Sequence, residues 1–448
     1  MMKIVNARDL GAEALAEVLA RPALESNTEL RESVAGIIAE VRARGDAALI
    51  DFGKKFDGRA PTNLLATADE LADAADRLDP ELLSAIDTAI DTVGRFHAAG
   101  KPENLSVETA PGVTCQARWQ ALDPVGLYVP AGSAPLPSTA IMLAVPARLA
   151  GCRRVVLATP PNAEGRADPA VLAIAHRLGI HTVLVSGGAQ AVAAMAYGTQ
   201  SVPRVAKIFG PGNRFVTEAK RQVAENACGA AQDLPAGPSE VLVIADDSAH
   251  PNFVAMDLLS QSEHGPDSQA FLITDSAWFA QAVNRSLEHL TPTLARAETA
   301  RIALSHGAII VSDNLVEAVA ISNEYAPEHL IISTRDPHVL CEAISSAGSV
   351  FLGHYTPESL GDYISGTNHV LPTAGWARSV SGLSITDFMR RMTIQEATPN
   401  GLRRLGPPGA RLAAHEGLDA HRLAITMRLE QLDTVENDQA QLENESPA

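Results

Sequence analysis

The sequence predicts an α/β protein with two Rossmann-like parallel-sheet domains, a helical N-terminal region and a C-terminal helical arm. From about residue 121, short apolar runs alternate with amphipathic runs, and such repeated strand–helix units form parallel sheets covered by helices. Residues 1–100 show mainly the apolar spacing of helices. A chain of 448 residues is also too long to fold around one ordinary hydrophobic core, so two or three domains are expected.

The N-terminal helices are predicted from apolar residues at i, i+3 and i+4. This spacing appears over residues 33–44 and 80–100, and Asn27 and Thr28 are plausible caps for the first of these helices. The first strand–helix series then follows, with strands over residues 154–159, 182–186 and 205–209 and helices over residues 167–178, 189–197 and 213–227.

The segment 235–239, rich in proline and glycine, interrupts the pattern and is a candidate domain boundary. A second series follows, with strands over residues 240–245, 270–274, 308–311 and 329–333 and helices over residues 251–264, 278–290 and 316–323. The two sheets lie in tandem, or one is nested within the other. The nested division places residues 1–127 and 237–381 in one α/β domain and residues 128–236 in an inserted α/β domain.

The C-terminal part is rich in turn residues after Gly366. The stretch 398–409 has several breakers and no helical period, and a helix is expected at about residues 418–432. We assign residues 382–432 to an arm, and the acidic residues 433–448 to a disordered tail.

Composition limits the partners and the compartment. The net charge of −18 argues against nucleic acid and against an anionic membrane surface. The four scattered cysteines fit a reducing cytosol. The N-terminus lacks the apolar core of a signal peptide, and no run approaches the roughly 18 apolar residues of a spanning helix. We therefore expect a cytoplasmic protein.

Two short stretches suggest a metal-assisted enzyme. Gln261 and His264 are three residues apart at the end of a predicted helix, so an amide oxygen and an imidazole share one face as half of a metal site. Glu328 and His329 precede an apolar run and are side chains that perform acid–base chemistry. A capping or solvated role would explain His264 equally well.

Candidates for the other half of the metal site lie downstream. Asp362 and His421 stand among apolar and glycine residues, where a charge is costly to bury without a partner. Two imidazoles, a carboxylate and an amide oxygen suit Zn²⁺ without excluding manganese or cobalt. The sequence by itself does not show that the four side chains meet.

Glycine-rich turns suggest a phosphate site, although the usual dinucleotide fingerprint is absent. Gly210 and Gly212 follow a predicted strand and open a helix, where free N–H groups attract phosphate, and the turn at Gly187 repeats this arrangement. Ordinary strand–helix turns are the alternative explanation. Tyr128 could present a hydroxyl to a nucleotide, or pack in a core.

The chain resembles the L-histidinol dehydrogenase family over nearly its whole length. The blocks that carry the resemblance are Val125-Gly-Leu-Tyr-Val-Pro-Ala-Gly132, Ile208-Phe-Gly-Pro-Gly-Asn213, Leu234-Pro-Ala-Gly-Pro-Ser-Glu240, Asp257-Leu-Leu-Ser-Gln-Ser-Glu-His-Gly-Pro-Asp267, Asn323-Glu-Tyr-Ala-Pro-Glu-His-Leu330, Tyr355-Thr-Pro-Glu-Ser-Leu-Gly-Asp-Tyr363, Asn368-His-Val-Leu-Pro-Thr373, Ser381-Gly-Leu-Ser384 and His415-Glu-Gly-Leu-Asp-Ala-His421. Any one of these blocks is weak evidence, but all of them in the family's order are specific. One departure is Ala131, where the family commonly has glycine.

The resemblance implies roles for individual residues. The zinc ligands would be Gln261, His264, Asp362 and His421. The catalytic pair would be Glu328 and His329. The four zinc ligands and His329 would also contact the substrate. The remaining substrate positions would be Ser239, His369 and Glu416, and the NAD positions would be Tyr128, Gln190 and Asn213.

The resemblance also implies the reaction and the assembly. The family oxidises the amino alcohol histidinol to histidine through an aldehyde with two NAD molecules, as part of histidine biosynthesis. It forms a homodimer whose C-terminal arm reaches the partner's active site. Three alternatives are a paralogous zinc- and NAD-dependent dehydrogenase of another small alcohol, a metallohydrolase and a non-catalytic binding protein.

Overall fold

The structure is a computed structural model that describes residues 2–22, 28–131, 135–235 and 237–444, with side chains up to residue 435. The chain divides into two compact units. The first unit comprises residues 1–100 and 122–388, and the second comprises residues 101–121 and 389–448. No helix within the described ranges is both long and apolar enough to cross a membrane.

The N-terminal region is helical, as predicted, except for one short strand. The elements are β1 (Lys3–Asn6), α1 (Ala12–Val18), α2 (Thr28–Arg44), α3 (Asp46–Phe56), α4 (Ala68–Ala72) and α5 (Pro80–Ala99). Asp79 caps α5 by accepting a hydrogen bond from the Glu81 N–H, and Pro80 occupies the first turn, where its missing N–H costs nothing. Helix α2 starts at Thr28, five residues before the predicted start, and Asn27 lies outside the described residues.

Two strands that were not predicted follow these helices, β2 (Leu105–Ala110) and β3 (Val113–Ala121). They pair antiparallel with each other and belong to the second unit.

The first predicted strand–helix series lies in a five-stranded parallel sheet of the first unit, which also contains two strands and one helix that were not predicted. Its elements are β4 (Val125–Tyr128), α6 (Pro137–Ala150), β5 (Val155–Thr159), α7 (Pro169–Arg177), β6 (Thr182–Val185), α8 (Gly188–Tyr197), β7 (Lys207–Phe209), α9 (Arg214–Glu225) and β8 (Ala231–Gln232). The strand order is β6-β5-β4-β7-β8, so the chain reverses its direction across the sheet between β4 and β7. Such a reversal opens a crevice at the carboxyl ends of the two strands, which is where α/β sheets bind ligands.

The second series forms a six-stranded parallel sheet in the same unit. Its elements are β9 (Glu240–Ala245), α10 (Pro251–Ser262), β10 (Gln269–Thr274), α11 (Ala277–Leu290), α12 (Ala297–Leu304), β11 (Ala308–Val311), α13 (Leu315–Tyr325), β12 (His329–Ser333), α14 (Pro337–Cys341), β13 (Ser349–Leu352) and α15 (Glu358–Tyr363). The order is β1-β11-β10-β9-β12-β13, and β9, β10 and β12 are buried along their whole length. These strands read as continuous apolar runs because helices cover both faces of the sheet.

The second unit is completed by β14 (Met389–Ala397), α16 (Pro399–His415) and α17 (Asp419–Asn444). Strand β14 pairs antiparallel with β3, which gives a three-stranded sheet in the order β14-β3-β2. Helices α16 and α17 pack together through glycine. A methyl group on Gly406 would lie 3.1 Å from side-chain atoms of both Ile425 and Leu429, so the missing side chain allows a close approach.

The structure corrects the predicted C-terminal elements. Residues 399–409 are helical rather than turn-rich, because Thr398 caps α16 by accepting from the Gly401 N–H and Pro399 occupies the first turn. Helix α17 extends to Asn444, so residues 433–444 are helical where a disordered tail is predicted. The compact units also cut the chain elsewhere than the predicted domains do, since residues 101–121 join the C-terminal segment.

Candidate active site

A cavity of about 780 Å³ lies in the first unit. It is lined at one end by residues that follow the carboxyl ends of β4, β5, β6 and β7, including Pro160, Gly187 and Asn213. At its other end it is lined by residues that precede or begin β9 and β12, including Ser239 and His329. The cavity therefore joins the crevice of the five-stranded sheet to the Glu-His pair, and its size is typical of small-molecule and cofactor sites.

The Glu328–His329 pair is held by the backbone of the neighbouring strand. Glu328 immediately precedes β12, and an Oε2 atom of its carboxyl group accepts from the Glu240 N–H at 2.9 Å. The Nδ1 atom of His329 lies 3.2 Å from the Glu240 carbonyl oxygen, which makes Nδ1 the donor. Both side chains are buried. The parallel pairing of β9 and β12 thus fixes the position of the pair.

Glu240 is itself anchored by an ion pair. Arg21 donates from Nε to Glu240 Oε1 at 2.6 Å and from a terminal nitrogen to Oε2 at 2.9 Å. The Ala374 N–H also donates to Oε1, at 2.9 Å. A bidentate guanidinium–carboxylate contact gives a defined geometry, so the start of β9 is a rigid support for the catalytic pair.

Three carboxylates determine the charge of His329. Burial lowers the pKa of this imidazole, but Glu328, Asp362 and Glu358 raise it, and the balance is a pKa of about 10. Burial in turn raises the pKa of Glu328 to about 8, although the positive charge of His329 opposes this shift. The neighbouring carboxylates thus raise the pKa of His329 above the value near 6.5 of an unperturbed histidine.

The predicted metal ligands of the first unit line the same cavity. Gln261 lies in the last turn of α10, His264 follows that helix, and Asp362 lies in α15. Asp362 Oδ1 is 3.3 Å from His329 Nε2, without the alignment of a full hydrogen bond. His264 is exposed at the surface, but desolvation of its ring lowers its pKa, which favours the neutral ring that a metal needs. Burial would raise the pKa of Asp362, but His329 and the other nearby histidines hold it low.

The amide of Gln261 satisfies its neighbours in one orientation. Its oxygen then accepts from His329 Nδ1 at 3.3 Å and from the Glu240 N–H at 3.0 Å, and its nitrogen donates to Glu358 Oε1 at 3.0 Å. This orientation agrees with a protonated Nδ1 on His329. Gln261 thereby connects the catalytic pair to a carboxylate on α15.

The donors present match zinc chemistry only in part. Amide oxygen, imidazole nitrogen and carboxylate oxygen are all available around the cavity, and each is an accepted zinc ligand type. Within the described residues, however, no three His, Cys, Asp or Glu side chains are arranged to hold a metal ion. Of the four predicted ligands, Gln261, His264 and Asp362 line the cavity.

The two C-terminal candidates are not among the described residues that line this cavity. Glu416 follows α16 and His421 lies near the start of α17, both in the second unit and both exposed. Every residue that lines the cavity belongs to the first unit.

His369 and Ser239, two predicted substrate positions, do line the cavity. His369 Nδ1 donates to the Asp362 carbonyl oxygen at 2.7 Å, and its Nε2 lies 3.2 Å from the Thr139 hydroxyl. Burial lowers its pKa, so the ring is neutral and held from both sides. Ser239 immediately precedes β9, and its carbonyl accepts from the Gln269 N–H at 3.0 Å.

The predicted nicotinamide-cofactor positions lie at the carboxyl ends of the five-stranded sheet. Tyr128 ends β4, and its hydroxyl accepts from the Gly188 N–H at 3.0 Å. Burial raises its pKa to about 12, so the phenol remains neutral. Asn213 caps α9 by accepting from the N–H groups of Phe215 and Val216, and Gln190 is buried in α8. All three side chains line the cavity.

Hydrogen bonds to a buried ion pair hold the loop before α9 in place. The Gly210 N–H donates to Asp233 at 2.7 Å, and the Gly210 carbonyl accepts from Lys220 at 2.8 Å. Asp233 and Lys220 form a buried ion pair with each other. Gly210 has φ +117°, a conformation that favours glycine. Ala131, at the predicted departure from the family, has no positive φ and also lines the cavity.

Sequence reasoning missed Glu358, which is 1% exposed and lies beside the catalytic pair. Its Oε1 accepts from the Ser260 hydroxyl at 2.7 Å, and its Oε2 has no hydrogen-bond partner in the described part of the chain. Burial raises its pKa to about 8. The signal that could have found it is its spacing of four residues from Asp362, which puts both carboxylates on one face of α15.

Comparison with known proteins gives a consistent result. The family model described as histidinol dehydrogenase matches residues 20–429. The chain is 53% identical over 412 residues to histidinol dehydrogenase of Idiomarina loihiensis, covering 92% of this chain and 93% of the relative. It is 53% identical over 428 residues to that of Xanthomonas euvesicatoria, covering 96% and 99%.

A solved structure agrees with this. The crystal structure of histidinol dehydrogenase from Elizabethkingia anophelis has a TM-score of 0.92 and 42% identity, covering 96% of this chain and 99% of that one. The predicted fold class is thereby confirmed. The chain belongs to the histidinol dehydrogenase family.

Proposed function

We propose that the chain oxidises L-histidinol to L-histidine in two NAD-dependent steps through the aldehyde, a reaction of histidine biosynthesis. The observation that carries the proposal is the single cavity that joins the β4–β7 crevice to the Glu328–His329 pair. A hydride transfer needs its cofactor and its base in one enclosure. The 53% identity to histidinol dehydrogenases extends over more than 90% of this chain. It favours histidinol as the substrate over the alcohol of a paralogous dehydrogenase.

The base in both oxidations is His329, acting through Nε2. This atom is buried in the cavity and makes no hydrogen bond within the described residues, whereas Nδ1 is occupied by the Glu240 carbonyl and Gln261. His329 would take the hydroxyl proton as the hydride leaves to NAD. It can do so once the ring has lost the proton that the nearby carboxylates stabilise.

Glu328 would serve the hydration of the aldehyde. Its raised pKa makes it a carboxyl group that can accept a proton from water near neutral pH and return it. Its contact with the Glu240 N–H fixes one oxygen, which leaves the other for water. The hydrated aldehyde then loses its hydride to a second NAD.

The metal would be zinc, held by Gln261, His264 and Asp362 together with His421 of the partner subunit of a homodimer. When bound, zinc supplies a Lewis acid that holds substrate nitrogen and offsets the negative charge around His329. His369 and Ser239, with Glu416 of the partner subunit, would hold the amino alcohol. This assembly is proposed because three of the four predicted ligands line the cavity and the fourth, His421, is exposed on the second unit.

The test of the function is turnover followed at the absorbance of NADH. We expect two NADH per histidinol consumed and histidine as the product, with little turnover of amino alcohols that lack the imidazole. A product that retains the aldehyde, or hydrolysis without NADH, would contradict the proposal.

The metal is tested separately. Prolonged chelation should abolish turnover, and zinc should restore it together with stoichiometric zinc content. Full activity in metal-free protein would overturn the ligand assignment but leave the NAD chemistry standing.

A further inference from the structure

Asp57 contributes a carboxylate to the cavity from the helical N-terminal region. It occupies the C-terminal cap of α3, where its N–H donates to the Gly53 carbonyl at 2.9 Å. Its side chain lines the same cavity as Tyr128, Pro160 and Gly188, at the carboxyl ends of the five-stranded sheet. The negative charge of Asp57 also raises the pKa of Tyr128, so the two groups are close.

The described residues offer the Asp57 side chain neither a hydrogen bond nor an ion pair. Its Oδ2 atom is buried and accepts no hydrogen bond from any described residue. None of the ion pairs among the described residues includes Asp57. Burial disfavours the charged form of the Asp57 carboxyl group and so raises its pKa. A desolvated carboxylate without donors is unfavourable, so a group that enters the cavity with hydroxyl or N–H donors would be stabilised there.

The sheet lacks an acidic residue where nucleotide-binding folds usually have one. In such folds an acid near the end of the second strand accepts hydrogen bonds from a ribose diol. Here the second strand of the sheet in chain order is β5, and it ends in Thr159 followed by Pro160 and Pro161. Neither proline carries an acceptor side chain. Asp57 supplies a carboxylate to the same cavity from a different part of the chain.

We propose that Asp57 binds the hydroxyl groups of the adenosine ribose of NAD and excludes cofactors that carry a 2′-phosphate. This inference rests on the proposed NAD-dependent function. The two ribose hydroxyls donate to the carboxylate, which gives it the partners it lacks. A 2′-phosphate brings negative charge and no donor to the same place, and like charges in a site of low dielectric repel strongly.

The experiment measures cofactor binding by calorimetry on the intact protein, without substrate. The probes are NAD⁺, NADP⁺ and 2′-deoxy-NAD⁺, and the variants are Asp57→Ala and Asp57→Asn. The control is Asp76→Asn, which removes an exposed carboxylate. Because Oδ2 has no partner to lose, Asp57→Asn should keep the thermal midpoint of the parent.

We expect Asp57→Ala to weaken NAD⁺ binding about 10-fold or more, as hydrogen bonds to a charged group are worth about 1.5–3 kcal/mol. NADP⁺ should bind the variants as well as or better than the parent, so the preference for NAD⁺ falls at least 10-fold. The parent should bind 2′-deoxy-NAD⁺ weakly, and Asp57→Ala should bind it as well as NAD⁺.

Three results would count against the inference. Equal losses for NAD⁺ and NADP⁺ would indicate general damage to the pocket, and unchanged preference in both variants would exclude a role in selection. A parent that binds 2′-deoxy-NAD⁺ as tightly as NAD⁺ would also overturn it. A parent that binds no NAD⁺ at all would instead overturn the proposed function on which the inference rests.

Discussion

We expect the free energy of unfolding to fall as rising pH removes the proton of Asp257, and we expect Asp257→Asn to abolish this dependence. Asp257 lies on α10, where burial raises the pKa of its carboxyl group from 3.8 to about 7. The folded protein therefore binds this proton more tightly than the unfolded chain does. The stability that the proton contributes is complete below pH 3.8 and is lost as the pH rises through about 7.

The size of the effect follows from the shift. A rise of about 3 pH units corresponds to about 4 kcal/mol at full strength, at about 1.4 kcal/mol for each unit. Asp257 is only partly shielded from solvent, so screening reduces this value. We expect Asp257→Asn to gain about 1–2 kcal/mol relative to the parent between pH 5 and pH 8.

Urea denaturation of both proteins at pH 5 and pH 8 measures this difference, with Asp76→Asn as the exposed control. A stability difference between Asp257→Asn and the parent that is the same at both pH values would refute the reasoning. If Asp257→Asn gained more stability over the parent at pH 5 than at pH 8, the pH dependence would have the opposite sign to the one expected. The control variant should show no such dependence.

The remaining predictions concern the reaction and the assembly. His329→Gln should reduce kcat by roughly 10²–10⁴-fold with unchanged zinc content, because it removes the base and keeps a polar group. Glu328→Gln should slow the oxidation of the aldehyde more than that of the alcohol, since only the former needs activated water, and separate assays from histidinol and from histidinal will measure this. His421→Ala subunits mixed with His264→Ala subunits should recover about half of the parental activity per mixed dimer, because one of the two shared sites then carries neither lesion.

Each of these three predictions has either a control or a result that would contradict it. The control for the base is His338→Gln, an exposed histidine on α14 that should leave kcat unchanged. Equal damage to both half-reactions in Glu328→Gln would refute the division of labour. A silent mixture of the two subunit variants, with exchange shown by mass labelling, would mean that each chain builds its own site.

Much of the parallel-sheet architecture was predictable because buried parallel strands have a local signature. The strand at Glu240–Ala245 is an unbroken apolar run once its first residue is passed, and it needs no distant partner to be recognised. Strands β2 and β3 lack this signature. Strand β2 is mostly exposed and β3 is half-buried, and β3 is completed by pairing with β14, whose residues lie more than 250 positions later in the chain.

Helix α16 was missed for a different reason. Its prolines and glycines oppose a helix locally, but Gly406 lets α17 approach closely, and this gain depends on tertiary packing. The same limit applies to the site. Glu328 and His329 stand out as neighbours in the sequence, and the spacing of Glu358 from Asp362 is a weaker signal of the same kind. Asp57 is distinguished only by its buried, unpartnered oxygen, which a sequence does not show.

The attachment of the catalytic pair to the start of β9 has a consequence for its dynamics. The Glu240 N–H at the start of β9 donates to Glu328, which immediately precedes the adjacent strand β12, and the Glu240 carboxylate accepts from Arg21. Buried strands of a central sheet open rarely, so we expect the Glu240 amide hydrogen to exchange slowly with solvent. Slow exchange at this one amide would therefore report that Glu328 keeps its place beside His329.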